Sequence, residues 1–176
     1  MKKGSKNGSG EILGLVGLFL VIALVLIFGF GSWGTIDAGH RGVVLSWGAV
    51  TGEVKGEGFY TKTPWIETVK EMNCQIQKEQ VQTDCASKDL QTIRAVVALN
   101  LSLVPTNCAT VYQKVGVSYL DTLVAPAMQE GIKAVTARYT AEELVSKREL
   151  VREDISKLLA EKLNPIGIRI EALNIV

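Results

Sequence analysis

The chain has 176 residues, 47% hydrophobic and 21% charged, with nineteen Lys and Arg against eighteen Asp and Glu. Lys2, Lys3, Lys6 and Glu11 all precede residue 12, so residues 31–176 carry sixteen cations against seventeen acids in a well-mixed pattern. With no basic stripe to displace counterions, this balance argues against a nucleic-acid surface; one histidine and three cysteines without a CxxC pair argue against zinc.

The basic leader, residues 1–11, runs into Ile12–Phe30, an uncharged stretch of Ile, Leu, Val, Phe, Ala and Gly that includes Leu20 and Val25. A helix of that length rises roughly 28 Å, close to the ~30 Å hydrocarbon core of a bilayer. Only a helix pairs every backbone polar group within one segment, so the stretch predicts a single transmembrane helix. Lys2, Lys3 and Lys6 before it, with Arg41 the first cation after it, keep the N-terminus on the cytoplasmic or matrix side. The remainder then lies across an inner or plasma membrane. A cleaved signal peptide cut after Gly31 is the competing reading, disfavoured because the apolar run exceeds the usual length of about 7–15 residues. Residues 31–35 form a Gly-rich joint in which Trp33 suits the headgroup layer.

Residues 36–176 read as one domain. Gly42–Trp47 predicts a strand, Gly56-Glu57-Gly58 a turn before Phe59–Thr61, and Pro64 precedes a further extended run from Trp65 to Val69. Met72–Thr83 and Gln91–Val104 predict two longer strands, joined by a hairpin loop at Ser87-Lys88-Asp89. Cys74 and Cys85 could bridge across such a hairpin, or Cys74, Cys85 and Cys108 are free buried thiols.

Pro105 ends the strands, and Thr106 or Asn107 caps a short helix running through Tyr112 to Gly116. Pro126 suits the first turn of a helix that places Met128, Ile132 and Val135 on one face. Thr140-Ala141-Glu142-Glu143 is a capping box opening a helix with the stripe Leu144, Val151, Ile155, Leu158 and Leu159. Pro165 stops it, and Ile166, Ile168 and Ile170 alternate along a closing strand. An antiparallel sheet first, helices after and a returning strand predict an α+β fold class.

Chemistry is sparse. His40 is the lone imidazole, and no GxSxG elbow, P-loop, GxGxxG or HExxH motif occurs. No catalytic, cofactor-binding or metal-ligating residue is assigned, and the chain reads as a non-enzyme. What remain are surfaces. Trp47, Phe59 and Trp65 read either as core or, with Trp33, as aromatics dipping into the membrane interface. Leu150 falls off the apolar stripe. With Lys147, Arg148, Glu149 and Arg152 it forms a candidate subunit contact.

The order of these features resembles the prohibitin branch of the SPFH (band-seven) superfamily, which also includes stomatins and flotillins. The residues that carry the resemblance are Ile36-Asp37-Ala38-Gly39-His40-Arg41-Gly42-Val43-Val44, Gly56-Glu57-Gly58-Phe59 with Pro64-Trp65, and Ala137–Leu144. Lys147–Val151 and Gly167-Ile168 complete the match. The resemblance implies an SPFH domain that assembles with itself or with other prohibitin-like subunits into rings or cages. Such assemblies organise lipid patches and regulate a membrane-bound AAA protease, without cofactors or catalytic residues of their own. The family's long C-terminal coiled-coil helix is absent from this sequence, which reads either as a fragment or as a short version of the family. A short version suits the alternative, a monomeric anchored adaptor or inhibitor of one membrane protein.

Overall fold

A computed structural model of the chain describes residues 14–22 and 31–175. Residues 14–22 are helical (α1), with every side chain exposed. The flanks of the predicted span, including Ile12, Val25 and Phe30, and the leader 1–11 lie outside the described residues. No helix among the described residues is long and apolar enough to cross a membrane.

The remaining strands are β1 (Trp33–Ile36), β2 (His40–Ser46), β3 (Ala49–Lys55), β4 (Gly58–Thr61), β5 (Glu67–Asn73), β6 (Gln77–Ala86), β7 (Thr92–Leu103) and β8 (Ile168–Ile175). They form three sheets, ordered β1-β4, β3-β2-β5 and β6-β7-β8, and every pairing is antiparallel. The helices are α2 (Cys108–Lys114), α3 (Ala125–Thr136), α4 (Ala141–Ser146) and α5 (Arg148–Leu163).

The run Gly42-Val43-Val44-Leu45 is buried on both faces of β2, which explains why it is continuously apolar rather than alternating. Val43 and Leu45 join the main core, while Gly42 lies against Ile36 of β1. A Cβ at Gly42 would sit 2.6 Å from both Ile36 and Val69, and one at Gly34 would sit 2.5 Å from the Tyr60 ring. The bare Gly42 lets Ile36 of the ribbon come down onto β2, and the bare Gly34 makes room within the ribbon for the Tyr60 ring of its partner strand.

The third sheet builds the main core. Along β6, Val81, Thr83 and Cys85 are buried while Lys78, Gln80, Gln82 and Asp84 face out, the period-two pattern of a half-buried strand. Helices α3 and α5 cover the inner face, α3 against β6 and α5 against β8. Val151, Ile155, Leu159 and Leu163 recur every four residues on the buried stripe of α5, facing Met128, Ile132 and Val135 of α3.

Two expected elements break. The strand expected over Met72–Thr83 divides at Cys74-Gln75-Ile76, where the Asn73 side chain accepts from the Gln75 N–H at 2.8 Å and forms a turn. The two pieces then serve different sheets, β5 pairing with β2 and β6 with β7. The helix expected from the capping box also breaks, at Lys147, whose φ of −111° and ψ of 33° leave the helical region. Just before it, the Ser146 hydroxyl donates to the Glu142 carbonyl four residues back, a bond that bends helices. Ala49–Lys55 forms an unexpected strand because it follows a two-residue turn and pairs with β2.

The β6–β7 connection is tied to the start of α4. The Asp89 carboxylate accepts from the Ser87 hydroxyl at 2.6 Å and from the Ala141 N–H at 3.2 Å, while Lys88 N–H donates to the Tyr139 carbonyl. Glu143 completes the capping box and accepts from Lys147 at 2.8 Å. The Ser87 hydrogen bond holds the Asp89 carboxyl below its usual range, and Lys147 does the same for Glu143. Since both folded-state values are depressed, their stabilisation is present above about pH 4 and is lost as the pH falls through the folded values. The difference in melting temperature between the native chain and an Asp89→Asn/Glu143→Gln variant is therefore expected at pH 6 and should shrink below about pH 4. A difference unchanged between pH 6 and pH 3 would reject this linkage.

Leu159 is fully buried between α3 and the sheet. Leu159→Ala is expected to lower stability by roughly 2–5 kcal/mol in denaturant titration; a loss under about 1 kcal/mol would place the core elsewhere.

Candidate membrane-facing surface

The residues that stand out are large apolar side chains left in solvent at one end of the first two sheets. Ser46 pairs with Ala49, so Trp47-Gly48 is a two-residue hairpin turn. Their φ values, 52° and 83°, are both positive, as a type I′ turn demands. Asn, Asp or Gly ordinarily occupies both positions. An L-residue with a bulky side chain pays roughly 1–2 kcal/mol to be there. Trp47 nevertheless occupies the first, and it is 79% exposed, so packing within the chain gives nothing back.

Trp65 repeats the pattern, with φ of 70° and 82% exposure. Its loop is closed by two hydrogen bonds between Thr63 and Glu67, at 2.7 and 2.9 Å. The Trp47 N–H then donates to the Ile66 carbonyl at 2.9 Å, joining the two loops. Both tryptophans therefore sit on a fixed, mutually braced backbone.

The β1-β4 ribbon adds a second pair. Trp33 lies opposite Thr61 and Thr35 opposite Phe59, so Trp33 and Phe59 share a face. Its inward face carries Ile36 and Tyr60, while Trp33 and Phe59 are 58% and 69% exposed beside a shallow apolar hollow. Only Lys62, Thr63 and Pro64 separate β4 from Trp65, so Phe59 and Trp65 are six residues apart and at most about 22 Å along the chain. Thus none of Trp47, Phe59 and Trp65 belongs to the core, which corrects that reading of them. The sequence signal that could have revealed it is Trp47-Gly48 itself, a turn dipeptide between two β-type runs.

The other candidates are Lys147, between α4 and α5, and four residues in the first turns of α5. Lys147 is engaged by Glu143 and Arg152 by Glu149, each within the chain, while the Arg148 guanidinium donates to the Ile175 carbonyl. Leu150 is 47% exposed. Such exposed ion pairs contribute little to stability.

The hollow that holds the lone imidazole is bordered by His40, Glu71, Asn73, Gln77 and Tyr119. The His40 ring meets the Ala38 carbonyl at 3.4 Å, and Gln77 donates to the Tyr119 hydroxyl at 2.6 Å. Burial pushes the Tyr119 hydroxyl up to about 12, so it stays protonated at neutral pH. This arrangement supplies no nucleophile with an adjacent base. Among the described residues no group of three or more His, Cys, Asp or Glu is placed to hold a metal ion. The three thiols are free. Cys85 donates to the Ile93 carbonyl at 3.5 Å, whereas Cys74 faces Cys108 with the sulfurs 3.2 Å apart. The hairpin pairing of Cys74 with Cys85 is thereby corrected, because the break after β5 turns Cys74 toward α2.

Comparison with known proteins agrees with the order of elements. Prohibitin 1 of Mus musculus is 28% identical over 166 residues, covering 94% of this chain and 60% of its own length. Prohibitin-1 of Saccharomyces cerevisiae is 26% identical over 141 residues, covering 80% and 49%. Prohibitin-6, mitochondrial, of Arabidopsis thaliana is 26% identical over 162 residues, covering 88% and 57%. The chain thus spans 49–60% of the length of these curated relatives. The family model for the SPFH domain / Band 7 family matches residues 35–176, from the middle of β1 through β8. On the extent of that match, the chain belongs to the SPFH domain / Band 7 family, with prohibitins among its relatives.

Proposed function

We propose that the chain is a membrane-anchored, non-enzymatic scaffold whose domain rests on the bilayer through its exposed aromatics and associates laterally with like subunits. The observation that carries this reading is the pair Trp47 and Trp65, held in left-handed backbone and exposed at 79% and 82%. Strain kept at an exposed apolar side chain points to a task outside the fold. An indole is amphipathic and partitions to the headgroup layer, where Trp and Tyr concentrate.

The apolar run Ile12–Phe30 supports the anchor, and Lys2, Lys3 and Lys6 support an N-terminus on the cytoplasmic or matrix side. Trp33 follows Phe30 by three residues, so an anchor there would hold the aromatic end of the domain near the lipid. Tethering confines the domains to a thin layer and raises their effective concentration, so weak lateral contacts suffice for rings. Lys147, Arg148, Glu149, Leu150 and Arg152 are the proposed contact residues. Other prohibitin-like subunits and a membrane-bound AAA protease are the proposed partners.

Three measurements test the reading. In nanodiscs with bromine-labelled lipid, a chain retaining Trp65 alone (Trp33→Phe, Trp47→Phe) is expected to lose fluorescence relative to unlabelled lipid. Unchanged emission would detach this loop from the bilayer. In the same format, Trp47→Asn should relieve the turn and raise stability by about 1 kcal/mol. A clear loss of stability would instead make Trp47 a structural residue. Sizing in mild detergent is expected to give a species of many copies; a monomer would remove self-assembly and favour the single-partner adaptor.

A further inference from the structure

Cys74 follows directly on β5, and its N–H donates to the Gly39 carbonyl at 3.0 Å, which fixes the backbone there. Cys108 is the first residue of α2 and is fully buried. Their sulfurs lie 3.2 Å apart, inside the roughly 3.5–4.0 Å at which non-bonded carbon atoms rest. A disulfide needs about 2.05 Å, so closure asks for a shift near 1 Å. Side-chain rotation can supply much of it. Cys74 is half-buried and reachable, whereas Cys108 and Cys85 are not.

We propose that Cys74 and Cys108 are a redox pair that closes to a disulfide in an oxidising compartment, tying the end of β5 to the start of α2. The electron acceptor is a small disulfide of the glutathione type. The Cys74 thiolate attacks one sulfur of that disulfide, forming a mixed disulfide and releasing the first small thiol. The Cys108 sulfur then attacks Cys74 Sγ, breaking the mixed bond and releasing the second small thiol. The two protein thiols thus give two electrons and two protons to the acceptor, which is reduced to two thiols.

The order of events follows from accessibility, since only Cys74 can meet an external disulfide. Burial, and next the hydrogen bond with Cys74, push the Cys108 thiol up to about 12, so it does not act as the first nucleophile. Once Cys74 carries the mixed disulfide, its thiol no longer opposes ionisation of Cys108, and Arg41 already favours it. The closed loop would enclose the β6–β7 hairpin, with 34 residues of separation between its ends, and restrict the unfolded chain accordingly. It would also fasten the sheet whose loops carry Trp47 and Trp65 to α2, which packs on β2 and β3. The link is intrachain and does not depend on the scaffold reading.

The test uses the full chain in detergent, exposed to oxidised glutathione, denatured, blocked with N-ethylmaleimide and digested. Mass spectrometry is expected to find a Cys74–Cys108 linked peptide, with Cys85 carrying maleimide. The oxidised chain should melt roughly 5 °C higher, and a reductant should reverse the rise. Cys85→Ser should leave both results intact. Cys108→Ser, checked for native circular dichroism, should retain glutathione on Cys74 and show no rise in melting temperature. A Cys74–Cys85 peptide, a Cys74–Cys74 link between chains, glutathione persisting on Cys74 of the native chain, or an unchanged melting temperature in the linked form would each overturn the proposal.

Discussion

The domain is organised around β7, which is paired along both edges. Its ladder to β6 runs from Thr92 to Leu101, and its ladder to β8 from Val97 to Leu103. Satisfying both edges is what allows Val97, Leu99 and Leu101 to be buried, because an unpaired backbone could not follow them into the core. The β8 ladder is the long-range closure: it joins residues about 70 positions apart and brings α5 with it. Helices α3 and α5 then have an apolar floor, and their own stripes find partners on each other.

The other half obeys a different constraint, close approach. β2 is covered on both faces, so the β1-β4 ribbon must come down onto it without a side chain at Gly42. The ribbon buries Ile36 and turns Trp33 and Phe59 outward. The same end carries Trp47 and Trp65. All three non-glycine residues with positive φ among the described residues, Trp47, Trp65 and Leu90, are large, apolar and exposed. Two of the three are on this end. Leu90, 87% exposed, sits on the β6–β7 connection that Ser87 and Asp89 hold rigid. Strain, rigidity and exposure coincide where the fold itself gains nothing, which is the physical basis for reading the aromatic end as a contact surface.

The two halves meet at α2, which packs on β2 and β3 and begins at Cys108. Since Cys74 begins the connection from β5 to β6, the thiol pair sits on the seam between the aromatic-bearing sheet and the rest of the core. A covalent link there would act on the relative mobility of the halves without touching either surface.

Much of this was legible in the chain. Periodicity gave the α3 face and the α5 stripe, because burial against a neighbour imposes a spacing that survives without coordinates. The capping box at Thr140 was equally readable, since both of its hydrogen bonds are local. So was the α+β order, with the β6–β7 hairpin and the returning strand. The uncharged run Ile12–Phe30 is likewise a property of the sequence alone. Tertiary structure decided the rest. Whether Met72–Thr83 is one strand or two depends on which neighbours accept its hydrogen bonds, and those lie in β2 and β7. Which cysteine faces Cys74 depends on the turn that this division creates. Whether Trp47 and Trp65 are core or surface depends on where two hairpin loops point. Local sequence fixes contacts within about a turn; exposure and partnership across the fold are set by surfaces that meet only after the chain has closed on β7.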